Sequence, residues 1–500
     1  MRIGISKSRY TLFRQCPKAL WLKTYKSELC VTSDALQQRF QAGRLIGDLA
    51  KGLFGKYVEI TTYNGDGKLD LAKMVVKTQK CIDSETYVIC EAAFRYDEDY
   101  CAVDILKKEG SGYAIYEVKS STEADNEVYA QDVAYQKYIL THCGVEVTGT
   151  YLVCINSNYV LDNEIDIHKL FQIQDISETV AHEYPLVEFQ IAKAKKMLAL
   201  KDVEPDEDLD VHCHKPYDCA FWQYCSRHLP ERSVFNLYRL NFDKKIAYYK
   251  QNIITYEQLQ DGGLNEKQQM QIDCALNDTI YINKVEIAKF LSTLSYPLYF
   301  LDFETMQPVI PEFQGTHPYQ QIPFQYSLHY IEQEGGELKH KEFLGVSGED
   351  PQRSIAESLC RDIPLDVCTT AYNKAFECTR LTELAESFPD LAEHLLNIRD
   401  HIVDLLVPFQ SGWYYVPAMG GSFSIKSVLP ALFQDDPELD YHNLTGSVHN
   451  GSEAMSVFPK IKDMTIEEQI AARQSLLKYC ELDTFAMVKV WQKLKEATET

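Results

Sequence analysis

The stretch Tyr100-Cys101-Ala102-Val103-Asp104-Ile105-Leu106, continuing through Glu109-Gly110-Ser111-Gly112 to Tyr113-Ala114-Ile115-Tyr116-Glu117-Val118-Lys119, decides how the N-terminal half is read. Two runs rich in β-branched and aromatic residues, joined by a glycine-containing turn, predict a β-hairpin. Asp104 then lies across from the Glu117 strand, and the two-residue period of a strand puts Glu117 and Lys119 on one face. That face gathers two carboxylates and an ammonium. Such a group can hold a hard divalent cation through its oxygens while the lysine orients or deprotonates a water, which is the chemistry of phosphodiester hydrolysis. The alternative is a surface hairpin with an incidental mix of charges.

At 500 residues the chain is too long for one hydrophobic core, so two or three domains are expected. Apolar residues make up 45% and charged residues 25%, as in an ordinary globular protein. No apolar run approaches the roughly 18 residues of a membrane span. The opening segment to Cys16 is too polar for a secretory signal, so a cytoplasmic protein without a membrane partner is expected. Fifteen scattered cysteines favour a reducing compartment over a disulfide scaffold. With a formal charge of −23, nucleic-acid binding would need a local basic groove.

The spacing of Asp104, Glu117 and Lys119 resembles the signature of the PD-(D/E)XK nucleases, and Gln131-Asp132-Val133-Ala134-Tyr135 resembles the QxxxY element of their RecB/AddB branch. The resemblance implies Mg²⁺ or Mn²⁺ at Asp104 and Glu117, water activation by Lys119, and a substrate strand positioned by Gln131 and Tyr135. Glu91, on a preceding strand, is a further acid that could join them. Cys213, Cys219 and Cys225 recur every six residues, a density that predicts metal ligation with a fourth ligand from elsewhere. Resemblance to RecB/AddB-type nucleases implies that Cys16, at the Cys16-Pro17 break between helical runs, joins this trio around a structural 4Fe-4S cluster. Zinc, with His212 or His214 replacing a thiolate, is the competing occupant.

A second constellation lies further on. Leu298-Tyr299-Phe300-Leu301 predicts a buried strand ending in Asp302-Phe303-Glu304, whose two carboxylates share a face. Asn373-Lys374-Ala375-Phe376-Glu377 reads as a strand-to-helix junction, and Tyr479 and Asp483 stand one helical turn apart. These three pieces resemble, in order, the motifs of the DnaQ-like DEDD exonucleases over residues 295–500. That resemblance implies two Mg²⁺ or Mn²⁺ ions on Asp302, Glu304, Glu377 and Asp483, with Tyr479 orienting the attacking water. Glu377 departs from the usual aspartate, which leaves Asp404 as an alternative ligand. Gly420 to Lys426 reads either as a phosphate-contacting loop or as a turn before a helix.

The expected fold is therefore α/β and multidomain. The resemblances imply a RecB-like PD-(D/E)XK nuclease domain with an iron-sulfur cluster over residues 1–230 and an RNase H-like, DnaQ-type exonuclease domain over 295–500, with 231–294 expected as a helical connector. The expected activity is that of a metal-dependent nuclease, with DNA ahead of RNA as substrate and possible protein partners in a repair or defence complex. An RNA exonuclease, or a nucleic-acid-binding scaffold with a degenerate site, is the alternative.

Overall fold

The computed structural model describes residues 3–31, 34–123, 126–259, 263–434 and 436–499. It is an α/β protein of two units, residues 1–228 with 308–319 and residues 229–307 with 320–500. Among the described residues no helix is long and apolar enough to cross a membrane.

The first unit is built on a six-stranded sheet in the order β1 (Val58–Glu59), β2 (Val88–Tyr96), β3 (Asp99–Glu109), β4 (Gly112–Val118), β5 (Val147–Ile155) and β6 (Phe171–Asp175). Strands β3 and β4 form the hairpin, closed by Gly110 at φ +59°, a conformation glycine reaches without a Cβ penalty. The helix Asn126–His142 crosses over from β4 to its parallel neighbour β5. Its Val133, Ala134, Tyr135, Ile139 and Leu140 are buried in the core with Ile89, Val103 and Ile115. At the N-terminus Ser6 caps the helix Lys7–Gln15, and Cys16 ends it in an extended conformation. The Cys16 sulfur then accepts the Ala19 N–H, capping the helix Pro17–Tyr25 with proline at its first position, where the missing N–H costs nothing. Residues 308–319, which lie in sequence between two strands of the other unit, belong to this one. Val309 packs in its core with Tyr116 and Val153, and the Thr316 carbonyl accepts the Leu161 N–H at 2.9 Å.

The second unit holds a mixed sheet. Its strands are β8 (Leu298–Met306), β9 (Ile322–Ile331), β10 (Leu338–Leu344), β11 (Cys368–Ala371) and β12 (Ile402–Asp404), in the order β10-β9-β8-β11-β12. A separate short pair joins β7 (Tyr281–Ile282) to β13 (Tyr414–Tyr415). In the main sheet β8, β9 and β10 are antiparallel, and β11 and β12 continue parallel to β8. The helix Ile466–Glu499 lies across β8 and β9. It buries Leu482, Ala486, Val490, Trp491 and Leu494 in one cluster with Phe300, and each large apolar side chain so buried stabilises by about 1.5–3 kcal/mol.

The division of the chain falls between His228 and Leu229, and residues 231–294 lie within the second unit. Ile287 and Phe290 belong to the cluster that holds Trp491, and the Tyr238 ring packs on Phe423 at 4.3 Å. Gly421, at φ +80°, lies so close to the Asn236 carbonyl that no side chain fits there.

Candidate metal centres

In the first unit three carboxylates stand in a row across β2, β3 and β4. The pairs Cys90–Ile105 and Ala92–Val103 flank Glu91 and Asp104. The hairpin register, continued one step past Ile105–Tyr116, sets Glu117 opposite Asp104. Residues directly opposite share a sheet face. Glu91 adopts φ +56°, a strain of about 1–3 kcal/mol that persists only where the surroundings enforce it.

The environment drives these acids apart. Burial and Glu117 push Asp104 up to about 6, and burial and Asp104 push Glu91 up to about 7. Burial also pushes Glu117 up, but Lys119 and Lys7 outweigh it and hold it at about 2. Glu117 Oε1 accepts from Lys7 Nζ at 2.7 Å and Lys119 Nζ at 2.9 Å, and Oε2 accepts from Gln136 Nε2 at 2.6 Å. Lys119 also donates to Asp132 at 2.6 Å. Burial alone would lower Lys119, yet Glu117 and Asp132 keep it well above the ordinary lysine range. Set between two carboxylates, its ammonium is a donor that can orient a water.

The helix register differs from the expected one. Gln131 and Tyr135 do not form the face that meets Glu117; Asp132 and Gln136, also one turn apart, do. Tyr135 is fully buried, stacks on Tyr10 at 5.0 Å, and donates its hydroxyl to the Ile5 carbonyl at 2.6 Å. Its role is to tie the N-terminal segment to the core. Gln131 is half-buried on that helix, outside the contacts to Glu117.

Cys16, Cys213, Cys219 and Cys225 line one small cavity with Leu22 and Phe221. All four thiols are free. Burial, with smaller contributions from Cys219 and Cys213, pushes Cys16 up to about 12; burial, Cys213 and Cys225 push Cys219 up to about 11. Four thiols around one cavity, each held above its ordinary range by burial, suit a cationic centre that would carry their negative charge. His212 lines the same cavity, whereas His214 is paired with Asp218 at 2.5 Å.

The second unit concentrates more acid with less compensation. One carboxylate oxygen each from Asp302, Glu304 and Asp483 lie within 4.8 Å of one another. The first two come from one face of β8, and Asp483 from the helix Ile466–Glu499. Burial, then Asp483, Glu304 and Glu377, raise Asp302 well above the carboxylate range. Burial and Asp483 push Glu304 up to about 8 against Lys426, and burial pushes Asp483 up to about 6 against Tyr441, Lys426 and Tyr479. Tyr441 donates to Asp483 Oδ1 at 2.6 Å, and Lys426 Nζ lies 5.6 Å from the ring centroids of Tyr441 and Tyr479.

Glu377 and Asp404 separate cleanly. Glu377 is buried, its Oε2 has no hydrogen-bond partner, and burial pushes it up to about 8. Asp404 uses Oδ1 for the Asn373 and Leu406 amides, both at 2.9 Å, and Oδ2 for the Lys374 amide at 3.2 Å. Asp404 thus shapes the turn that presents Glu377, while Glu377 keeps a free oxygen and acts electrostatically on Asp302. A cavity of about 930 Å³, lined in part by Lys426, Tyr441, His449 and Asn450, adjoins this cluster. Lys7, Asp132, Gln136 and Tyr441 are the site residues that sequence reasoning missed. Only Gln136 carried a signal, through its one-turn spacing from Asp132.

A family model described as a domain of unknown function, DUF2779, matches residues 299–424, which include Asp302, Glu304 and Glu377 but end before Lys426 and Asp483. The chain is similar to an uncharacterized protein, UU173, of Ureaplasma parvum serovar 3 (strain ATCC 700970), with 26% identity over 238 residues. The similarity covers 43% of this chain and 33% of that protein, so it spans about a third of the relative's length. No solved structure matches.

The raised carboxyls predict a stability profile. Their folded pKa values exceed the unfolded ones, so the stability that they contribute is complete below about pH 4 and is lost as pH rises through about 6 for Asp483 and 8 for Glu304 and Glu377. By calorimetry in a chelator, the full chain should lose stability in its second unit between about pH 5 and 8.5; Mn²⁺ should restore it at the upper pH and do little at the lower. A profile that is flat in chelator, or a Mn²⁺ effect independent of pH, would contradict the cluster's geometry.

Proposed function

We propose that the chain is a metal-dependent nuclease that hydrolyses phosphodiester bonds in nucleic acid, with a one-ion site in the first unit and a two-ion site in the second. What supports this most directly is the convergence of Asp302, Glu304 and Asp483 within 4.8 Å, with the unpartnered Glu377 Oε2 as a fourth acid. Four carboxylates, three of them buried and Asp302 half-buried, facing so little positive charge suit a pair of hard dications. Bound there, such ions would neutralise the phosphodiester and polarise the attacking water. Tyr479 stays a phenol, since burial and Asp483 raise it far above its ordinary value, and it orients water through its hydroxyl. Tyr441 fixes Asp483, and Lys426 offers a cation that acts on both Glu304 and Asp483, where a phosphate would approach from the cavity. In the first unit Asp104, with Glu91 beside it, would hold one ion. Lys119 keeps its proton and supplies a charged donor, and Gln136 and Asp132 fix Glu117 and Lys119 in place.

The RecB-like and DnaQ-like resemblances agree with this reading, as does a mixed sheet whose central strand carries the D-x-E pair. Cytoplasmic DNA is the favoured substrate. A second reading, in which the first unit holds a strand without cutting it, is favoured by Glu117, both of whose oxygens already accept protein donors. The four-cysteine cavity is read as the seat of a structural iron-sulfur cluster.

Two experiments test these proposals. Labelled single- and double-stranded DNA and RNA, incubated with Mg²⁺ or Mn²⁺, should be cleaved by the wild type; Asp302→Asn should remove one activity by at least about 100-fold and Lys119→Ala the other, each leaving its partner intact. No cleavage of any substrate would refute the nuclease reading, and loss of only one activity across both variants would favour the non-cutting first unit. Separately, protein purified without air should carry about four irons per chain and lose them in Cys219→Ala, whereas stoichiometric zinc without iron would refute the cluster.

A further inference from the structure

On the same face of the second sheet, but away from the four carboxylates, a different donor set converges. His329 on β9 pairs directly with His340 on β10, and their rings lie 4.5 Å apart at 36°. Glu481 reaches the pair from the helix Ile466–Glu499, and one ligand atom from each of the three residues falls within 4.8 Å of the others. Glu342, two positions beyond His340 on the same strand, interacts electrostatically with His340 and Glu481.

The hydrogen bonds tie one nitrogen of each ring to a chain of hydroxyls. Thr484 Oγ1 donates to the Glu481 carbonyl at 3.1 Å, so toward its other partners it is an acceptor. Those partners are His329 Nδ1 at 2.8 Å and Ser327 Oγ at 2.6 Å. Ser327, having given its proton to Thr484, accepts from His340 Nε2 at 2.8 Å. With Thr484 donating to the Glu481 carbonyl, the arrangement that satisfies the whole chain puts each imidazole proton on the nitrogen facing the hydroxyls. His329 Nε2 and His340 Nδ1 are then the lone pairs available to a metal, and the hydroxyls are the outer hydrogen bonds that orient metal-ligating histidines.

We infer that His329, His340 and Glu481 form a binding site for a borderline transition-metal dication of the Zn²⁺ class, chemically distinct from the carboxylate centre. Imidazole nitrogens select such ions over Mg²⁺ and Mn²⁺, which prefer all-oxygen shells. Around Zn²⁺ neighbouring ligand atoms stand roughly 3.4 Å apart. The exposed Glu481 side chain is free to turn toward the imidazoles, with water or Glu342 as the fourth ligand. The ion would bridge β9 and β10 to the helix that carries Tyr479 and Asp483, two residues to either side of Glu481. It would therefore set the position of the residues proposed to orient water and hold the hard ions.

Cobalt reports on such a site through its d–d absorption. Full-length protein, stripped of metal and held in excess Mg²⁺, should take up Co²⁺ with the visible bands of a nitrogen- and oxygen-ligated tetrahedral ion, without the near-ultraviolet thiolate band that binding at the cysteines would add. Zn²⁺ should displace it. His340→Ala should lose these bands and one equivalent of Zn²⁺, and Glu481→Gln, at an exposed position with no packing role, should weaken binding by at least about tenfold. Asp302→Asn should keep the bands. Identical spectra and Zn²⁺ stoichiometry in wild type and both site variants would overturn the inference, as would loss of the bands in Asp302→Asn.

Discussion

Like charges cannot be crowded into a dry place without something to hold them there, and the second unit is arranged around that constraint. Asp302, Glu304 and Asp483 are drawn together by a central strand and a long C-terminal helix, and Glu377, at a strand-to-helix turn, acts electrostatically on Asp302. Lys426 is the cation that acts on Glu304 and Asp483. Without further positive charge the acids respond as buried acids do, by rising toward neutrality. The apolar packing of Phe300 against Trp491 keeps strand and helix in register despite the repulsion. Perturbed buried carboxyls of this kind concentrate at functional sites.

The first unit meets the same constraint by another route. Two lysines and a glutamine satisfy both oxygens of Glu117, so that carboxylate is ionised and fixed while Asp104 and Glu91 beside it are pushed up. One acid is given protein counter-charge and its neighbours are not. This asymmetry suits a single ion on the Asp104 side, with Lys119 as a permanent charge, and it differs from the second unit, where nearly all the counter-charge has to come from outside.

Where chemistry is written in local periodicity, the sequence was sufficient. Alternation placed Asp302 and Glu304 on one face of a buried strand, one helical turn joined Tyr479 to Asp483, and Pro17 marked Cys16 as the corner between two helices. Contacts that depend on how distant elements meet were illegible. Lys7 reaches Glu117 across 110 positions, and nothing near it in sequence marks it. The face of the helix Asn126–His142 that meets the sheet is decided by Tyr135 stacking on Tyr10; that choice replaced the pair Gln131 and Tyr135 with Asp132 and Gln136. The excursion of residues 308–319 into the first unit, and the pairing of His329 with His340, likewise depend on tertiary register. Between Glu377 and Asp404 the decision rested on backbone amides, which a sequence does not display.

The central claim is that the buried carboxylates of the second unit exist to hold a pair of hard cations. Anomalous diffraction from crystals of the full chain grown with Mn²⁺ addresses it without relying on any assay of activity. Two peaks roughly 4 Å apart, both touching Asp302 and shared out among Glu304, Glu377 and Asp483, are the expected result. A map with no manganese at these residues, with the Lys426 ammonium drawn in among the carboxylates instead, would contradict it.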